Sequence, residues 1–443
     1  MNEKNKTQFI EYFTKGIKQQ NHIKIGVEQE KFLFDGKNKN RIDYKKLKLV
    51  FENLQKYKWT PVLENENIIG LKRGNQQITT EPGLQCELSG EPLESIHEVC
   101  SESSDYLKEI TAASEGLDIS TASIGFDPFN TLNQIPRNPK KRYTIMSKEM
   151  PKDGELSLDM MYRTCGIQIN YDYTSEKNFE KIFRVGNYLV PLTIATFANS
   201  PFKDRKPSGY LSYRNKVWQN TSRGGIMPIA FEDISFEKYF DYIVNYPILF
   251  AIRDKEYIEP NGQLFKDFLE GNFKNLKGEA NLKDFESHLA TIFTELRVKQ
   301  YVELRSLDTC ESGCICSGPA FFTGLFYGPI DEAFSIITKW KKEDVMNAYL
   351  DSPKKGLSTE LAGKKLYEWG EIFLKLSQTG LLERKKLNES GKDETIYLKH
   401  IEDIIRKKTN RAQLLLNKFK LTNNLDFFDN EKEDFSYSGF QTK

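Results

Sequence analysis

The sequence predicts an α+β fold built on an antiparallel sheet, and three segments with the side-chain period of a strand carry that expectation. Thr164–Tyr171 alternates strictly, with Ile167, Ile169 and Tyr171 on one face and Gln168 and Asn170 on the other. Tyr301–Ser306 sets Val302 and Leu304 against Glu303 and Arg305, and Ile25–Glu30 sets Ile25 and Val27 against Glu28 and Glu30. Successive strand residues point to opposite faces, so each polar pair shares a face. Alternation of this kind suits an antiparallel sheet with one face packed and the other in water.

The helical elements follow in order. Ser89, with Glu91 and Pro92 behind it, reads as a helix start, Pro standing where a missing N–H costs nothing. Leu93, Ile96, Cys100, Leu107 and Ile110 then form one buried stripe at the helical period. From about Asp331 onward, Ile401, Ile404, Ile405, Leu414, Leu415 and Phe419 mark amphipathic helices, and Lys385–Glu394 reads as a charged, exposed loop. There is no internal repeat and no low-complexity tract. A single large domain is expected over 1–443, with a sheet-rich core over 1–330, a helical part over 331–425 and a loosely docked tail over 426–443.

Composition bounds what the chain does. Its 443 residues include 30 Phe, 21 Tyr and 4 Trp, ample apolar surface for a core without disulfide or metal staples. Lys and Arg total 64 against 63 Asp and Glu, so no global field recruits nucleic acid or anionic lipid. The longest apolar stretches, Tyr188–Ala198 and Tyr242–Ile252, carry Pro or Asn and fall short of the ~20 residues of a membrane span. Neither nucleic acid nor membrane is an expected partner. MNEKNKTQFIEYF has an early Glu and no apolar run, unlike a signal or transit peptide. Six cysteines fit a reducing compartment, and the expected location is the cytoplasm.

Glu28 and Glu30, side by side on one strand face, read either as a solvated face with Lys neighbours or as ligands for a hard cation such as magnesium, which wants oxygen donors. Glu81 and Glu87 add carboxylates in TTEPGLQCEL, and Gln168 and Glu303 would complete a ring of oxygen donors. The 4 His are widely spaced, which disfavours an imidazole-built zinc site. Arg305, Arg163 and Arg214 read as salt-bridge residues or, on a carboxylate-rich face, as clamps for a carboxylate or phosphate. Lys72 and Arg73, in a Gly-flanked turn, are further phosphate candidates. Neither a P-loop nor a dinucleotide fingerprint is present. Cys310, Cys314 and Cys316 cluster without a CxxC pair, and no Ser or Cys carries a nucleophile signature.

GVEQEKFLF, ITTEPGLQCELSGEPLESIHEVC, IGFDPFNTLNQIPRNPKKRYTIMSKEMP, DMMYRTCGIQIN, FANSPF, GYLSYRNKVW, HLATIFTELRVKQYVELRSLD and PAFFTGLFYG occur in that order. Together they resemble the glutamate–cysteine ligases of the plant and proteobacterial type, from about Ile23 to beyond Gly328. The resemblance implies a glutamine-synthetase-like core, a curved, mainly antiparallel sheet forming an active-site cradle surrounded by helices. It implies ATP, L-glutamate and L-cysteine as substrates and Mg2+ as cofactor: ATP phosphorylates the γ-carboxylate of glutamate and the cysteine amine attacks the acyl phosphate, the first step of glutathione biosynthesis. By the same resemblance Glu28, Glu30, Glu81, Glu87 and Glu303 are metal ligands, with Gln168 beside them. Arg305 faces the phosphate or substrate carboxylate, while Arg163, Arg214 and Trp218, with Tyr213, line the amino-acid pockets.

The chain also departs from that pattern. Gln29 replaces a common His, on the sheet face opposite the glutamates. Gly83-Leu84 stands for a Gly-Gly pair, and Cys86 replaces an aromatic. Residues 241–260 contain no Cys, so the dimer-controlling disulfide of the plant enzymes is not expected, whereas Cys100 and Cys316 match a family pair and are expected to form a redox-sensitive disulfide. A monomer or homodimer fits equally. The competing readings are a γ-glutamyl ligase for a different amine and a non-catalytic nucleotide- and metal-binding relative.

Overall fold

The computed structural model describes residues 3–429 apart from 65, 255, 261 and 274–277. A nine-stranded antiparallel sheet organises it. Its strands are β1 (Ile25–Asp35), β2 (Thr60–Glu64), β3 (Asn67–Arg73), β4 (Gln76–Thr80), β5 (Cys86–Ser89), β6 (Ile119–Ala122), β7 (Gly166–Tyr171), β8 (Leu296–Val298) and β9 (Val302–Asp308). In space the order is β8-β9-β7-β1-β5-β4-β3-β2, with β6 pairing the far end of β1. All three segments read as strands are strands, and they are neighbours: β9 pairs β7, and β7 pairs β1.

The helices that bear on the site are α1 (Ile96–Ser114), α2 (Lys141–Glu149), α3 (Tyr213–Trp218), α4 (Ser317–Phe326), α5 (Lys342–Lys355) and α6 (Leu366–Arg384). α1 and α4 pack on the apolar sheet face: Ile96, Val99 and Leu107, with Phe322 and Leu325, share one core with Ile25, Val27, Ile167, Ile169, Val302 and Leu304. Ile96, Cys100, Leu107 and Ile110 form the buried stripe as the period required. The helix starts later than Ser89, however. Ser89 closes β5 in register with Glu28 and Gln77, and Leu93 exchanges backbone hydrogen bonds with Ile25 at 2.8 and 2.9 Å. The true cap is Ser95, whose hydroxyl accepts from the Glu98 backbone while the Glu98 carboxylate accepts from the Ser95 N–H.

The other sheet face is not wet. It is roofed by a second core in which Tyr143 and Met146 of α2, with Met160, Met161 and Tyr162, pack against Tyr213, Val217 and Trp218 of α3. The alternation therefore marks a covered polar face rather than a solvated one.

From Ile330 on, the chain is mainly helical to Thr422. The loop expected to be charged and exposed ends in a carboxylate that is not: Glu394 is 0% exposed, accepts the Ile96 N–H at 2.7 Å and pairs with Arg384 Nε at 2.8 Å. Of the expected tail, 430–443 lies outside the described residues. Asp426–Asp429 is one short turn, and Phe428 packs against Phe129 and Phe202. Among the described residues no helix is long and apolar enough to cross a membrane.

Candidate active site

Strand register decides which polar groups meet. Glu30 lies opposite Glu87, Glu28 opposite Gln168 on one side and Ser89 on the other, and Glu303 opposite Asn170 and Arg297. The ring of oxygen donors expected from the sequence is thereby divided in two.

Glu30, Glu87 and Glu81, the last in the turn after β4, form one group. Burial, then the Glu81 charge, pushes the Glu30 carboxyl up to about 8. Burial and the charges of Glu81, Glu28 and Glu30 hold Glu87 well above the usual carboxylate range. The Gly166 N–H donates to Glu30 and Ser89 Oγ to Glu87. Glu81 is held by a tight turn, its N–H donating to Gln85 O at 3.0 Å and its carbonyl accepting from Leu84 at 2.9 Å. Leu84 sits at φ 61°, a left-handed conformation better suited to the glycine of the related pattern.

Glu28 and Glu303 form the second group, and cations already hold Glu303. Arg297 grips it with two hydrogen bonds of 2.7 Å, Lys299 stands 3.6 Å away, and Arg305 Nη1 donates to it. Burial alone would raise the Glu303 carboxyl, but Arg297, Lys299 and Arg305 hold it far below the usual range. Burial and the Glu303 charge push Glu28 up, while Asn170 Nδ2 donates to it at 2.9 Å. Gln168 Oε1 also accepts from Arg305 Nη1. As the side chains stand, Glu303 and Gln168 both accept from arginine.

Beside the first group is a cavity of about 70 Å³ lined by Glu30, Glu81, Gln168, Arg214, Arg305 and Trp218, with Tyr143 and three methionines of the roof. The indole of Trp218 lies beneath both guanidinium groups, 4.9 Å from Arg214 and 5.3 Å from Arg305. Arg214 Nη2 donates to the Arg305 carbonyl at 2.9 Å. Arg214 Nε and Nη1, Arg305 Nε and Trp218 Nε1 are buried with no hydrogen-bond partner, the nearest anion to Arg214 Nη1 being Asp308 at 4.0 Å. A set of buried donors left open around a cavity is a site for an anion.

Three expectations are corrected by the side chains. Arg163 does not reach the cavity: Asp159 at 2.8 Å and Asp204 at 2.7 Å bind its guanidinium, which stacks on Phe126. Tyr213 backs the site rather than lining it, its hydroxyl accepting from Lys203 at 2.9 Å. Arg73 is bound to Glu109 at 2.7 Å and Gln76 at 2.9 Å, and Lys72 is exposed on β3, so neither is a phosphate ligand of this cavity.

Other groups went unforeseen. In NPKKRY, Asn138, Lys140 and Tyr143 all donate to Thr80 O, at 3.0–3.1 Å, and so anchor the turn bearing Glu81. Burial, then Arg142, pushes Lys140 down to about 8, and Arg142 interacts with the Glu81 charge while its own Nε has no partner. The density of cations in that motif was the available signal. Glu295 lies one residue before β8, backbone-paired to Arg305, and accepts the Tyr349 hydroxyl at 2.7 Å. On the apolar side, the sulfurs of Cys100 and Cys316 are bonded, Cα atoms 5.7 Å apart, and Cys310 bonds Cys314 in a second bridge that was not expected.

Among the described residues no three His, Cys, Asp or Glu side chains converge as a ready metal site. The donor chemistry nevertheless fits magnesium. Its ligands are hard oxygens, it keeps several waters and takes phosphate oxygens, so one or two carboxylates per ion suffice. Burial first, and then the charge of neighbouring carboxylates, raises Glu30 and Glu87, and a cation would relieve the repulsion.

Residues 24–434 match the family model described as glutamate-cysteine ligase family 2. The chain is 38% identical over 422 residues to glutamate–cysteine ligase B, chloroplastic, of Oryza sativa subsp. japonica, covering 94% of this chain and 84% of that one. It is 38% identical over 414 residues to the chloroplastic glutamate–cysteine ligase of Arabidopsis thaliana, covering 92% and 78%. The crystal structure of glutamate–cysteine ligase from Francisella tularensis in complex with AMP shares the fold, with a TM-score of 0.54, 13% identity and coverage of 95% and 92%. The chloroplastic location of the relatives overturns the cytoplasmic expectation. A sparse cysteine count reports a reducing environment, and does not distinguish one reducing compartment from another.

Proposed function

The chain belongs to glutamate–cysteine ligase family 2, and we propose that it joins the γ-carboxylate of L-glutamate to the amine of L-cysteine at the expense of ATP. The observation that carries this reading is the cavity with the half-buried carboxylates Glu30 and Glu81 facing open arginine donors. A carboxylate is a poor electrophile. Transfer of the γ-phosphoryl group of ATP to the glutamate γ-carboxylate forms an acyl phosphate and ADP. The cysteine amine then attacks the acyl carbon, the C–O bond to phosphate breaks, and phosphate and γ-glutamylcysteine leave.

Phosphoryl transfer depends on positioning and charge neutralisation. Glu30, Glu81 and Glu87 are the proposed principal magnesium ligands, with Glu28, Gln168 and Glu303 bordering them. Magnesium, when bound there, would supply the positive charge that neutralises phosphate oxygens. Arg305 and Arg214 bind anionic oxygens opposite that wall, the planar fork favouring carboxylate or phosphate. Arg142 and Lys140 add positive charge beside Glu81. The methionine and aromatic roof partly covers the cavity and so limits the access of water, which would hydrolyse the acyl phosphate.

The test is ADP release with magnesium, ATP and glutamate, with and without cysteine, the product identified by mass. Cysteine-dependent ADP release with γ-glutamylcysteine formed is the expected outcome. Turnover with other amines but not cysteine would transfer the assignment to a sister ligase, and ATP binding without turnover would point to a non-catalytic relative.

A further inference from the structure

Of the carboxylates Glu30, Glu87 and Glu81, the sheet fixes two and leaves the third to other means. Glu30 lies within β1 and Glu87 within β5, opposite each other in register, so the strand ladder sets their backbones. Glu81 comes immediately after β4, in the turn of residues 81–85 that leads into β5. A residue distant in sequence holds that turn. Asn138 donates its backbone N–H to Pro82 O at 2.9 Å, and its Nδ2 donates to Thr80 O at 3.1 Å, Glu81 O at 3.0 Å and Thr80 Oγ1 at 2.8 Å. Three successive carbonyls thus turn toward one side chain and its backbone. Asn138 Oδ1 accepts the Lys140 N–H at 3.1 Å, which fixes the amide with its two hydrogens toward the turn.

The geometry bears directly on Glu81. Thr80 O belongs to the peptide plane before the Glu81 Cα, and Glu81 O to the plane after it. Peptide planes are rigid, so the chain turns there only about φ and ψ of Glu81. One amide that grips both planes fixes both dihedrals, and with them the direction in which the carboxylate leaves the backbone. Lys140 and Tyr143 grip only the plane before Glu81, and the Leu84 N–H only the plane after it, whereas the Asn138 amide spans the two. Asn138 is itself well held: it is 6% exposed, and Pro139 behind it disfavours the helical region for its backbone.

Resting on the proposed role of Glu81 as a magnesium ligand, we propose that Asn138 is the positioning residue of that ligand. It does not line the cavity and acts through Glu81, holding the carboxylate on the cavity wall beside Glu30. Magnesium demands near-ideal octahedral geometry, so a ligand carried on a turn gains most from being fixed before the ion arrives.

The experiment measures the affinity of magnesium alone by calorimetry in wild type, Asn138→Ala, Glu81→Gln and the double variant. Removing a group that orients a metal ligand costs roughly ten- to a hundred-fold in metal affinity, and Asn138→Ala should lose that much. On the Glu81→Gln background Asn138→Ala should cost nothing further, because its effect passes through Glu81. The alanine variant should fold, since Lys140 and Tyr143 still donate to Thr80 O, Leu84 to Glu81 O, and the backbone N–H at position 138 to Pro82 O. Unchanged magnesium affinity in Asn138→Ala, or the same loss on both backgrounds, overturns the positioning role and leaves Glu81 a metal ligand. Absence of magnesium binding by wild type, or unchanged affinity in Glu81→Gln, overturns the ligand and its positioning residue together. Asn138→Asp is the second variant should Asn138→Ala not fold. It keeps the size of the side chain and exchanges the donor for an acceptor. Its added negative charge would by itself tighten a cation, so weaker magnesium binding supports the lost positioning, and unchanged or tighter binding overturns it.

Discussion

Arg214 lies against Gly166. A Cβ at Gly166 would stand 2.6 Å from Arg214 Nη2 and 3.0 Å from the Leu307 carbonyl, so the bare backbone is what lets the guanidinium reach the Arg305 carbonyl. The same residue donates its N–H to Glu30, linking the arginine wall to the carboxylate wall. Gly166→Ala should therefore displace Arg214 while costing only about 1–3 kcal/mol of stability. The expected result is a loss of kcat/KM for glutamate of at least about a hundred-fold, or roughly 2.7 kcal/mol in the transition state, with thermal unfolding still cooperative. Wild-type kinetics in Gly166→Ala would remove the placement of Arg214.

Glu30→Gln and Glu303→Gln should both abolish ADP formation, but by different routes. Burial and then the Glu81 charge disfavour the ionised Glu30, so its neutralisation removes that cost in the metal-free protein. Because its folded carboxyl titrates at about 8, wild type without metal loses stability as pH rises from the ordinary carboxylate range toward 8, and Glu30→Gln should lack that loss. Glu303 is the counter-charge of Arg297, Lys299 and Arg305, and removing it should destabilise the fold by about 3–5 kcal/mol. Denaturant unfolding with and without magnesium separates them: Glu30→Gln should stay stable and lose the magnesium-induced gain, whereas Glu303→Gln should be weakened in both conditions. Equal behaviour of the two would join them again in a single ring.

Local period made much of this legible. Alternation alone put Glu28 with Glu30, Gln168 with Asn170 and Glu303 with Arg305 on shared faces, and the faces prove to be one face because β9, β7 and β1 are adjacent. What alternation lacks is register and neighbour order, which are long-range. It therefore could not show that Glu303 meets Arg297 and Asn170 rather than Glu87, nor that Asp204, from a distant turn, would bind Arg163. Glu295 was within reach of the same parity argument, two residues before Arg297, but short strands at a sheet edge are hard to recognise. The polar face was expected to be wet because its roof comes from α2 and α3, segments whose packing no local pattern announces.

The Cys100–Cys316 bond ties α1, which follows the strand of Glu87, to the segment entering α4, which follows the strand of Arg305; 216 residues of sequence separate the two sulfurs. A cross-link over so long a loop restricts the unfolded chain strongly, worth up to about 5 kcal/mol in the chain-entropy account. Oxidised protein should show by intact mass the loss of hydrogens from both bridges, and Cys100→Ser should retain only the Cys310–Cys314 bridge. Reductant should lower the unfolding midpoint of wild type and leave Cys100→Ser much less affected. Only free thiols under oxidising conditions would exclude the pairing.

Stability should also fall on the acid side through His288, which no part of the reaction uses. It is 2% exposed, stacks on Phe265 with ring centroids 4.4 Å apart, and donates Nε2–H to the Ile243 carbonyl at 2.9 Å. Its Nδ1 has no partner, so a second proton would place an unpaired charge in the core. Burial therefore pushes its pKa down to about 3, against about 6.5 in the unfolded chain. Between those values the unfolded state binds a proton that the folded state refuses, so stability is intact above pH 6.5 and is lost progressively as pH falls toward 3. At pH 5 this amounts to about 2 kcal/mol. His288→Phe, whatever its constant cost at the Ile243 carbonyl, should not lose stability through this route. Denaturant unfolding of both proteins at pH 7 and pH 5 gives the comparison: the wild type should lose about 2 kcal/mol more than the variant, and parallel losses would show that His288 is protonated within the fold.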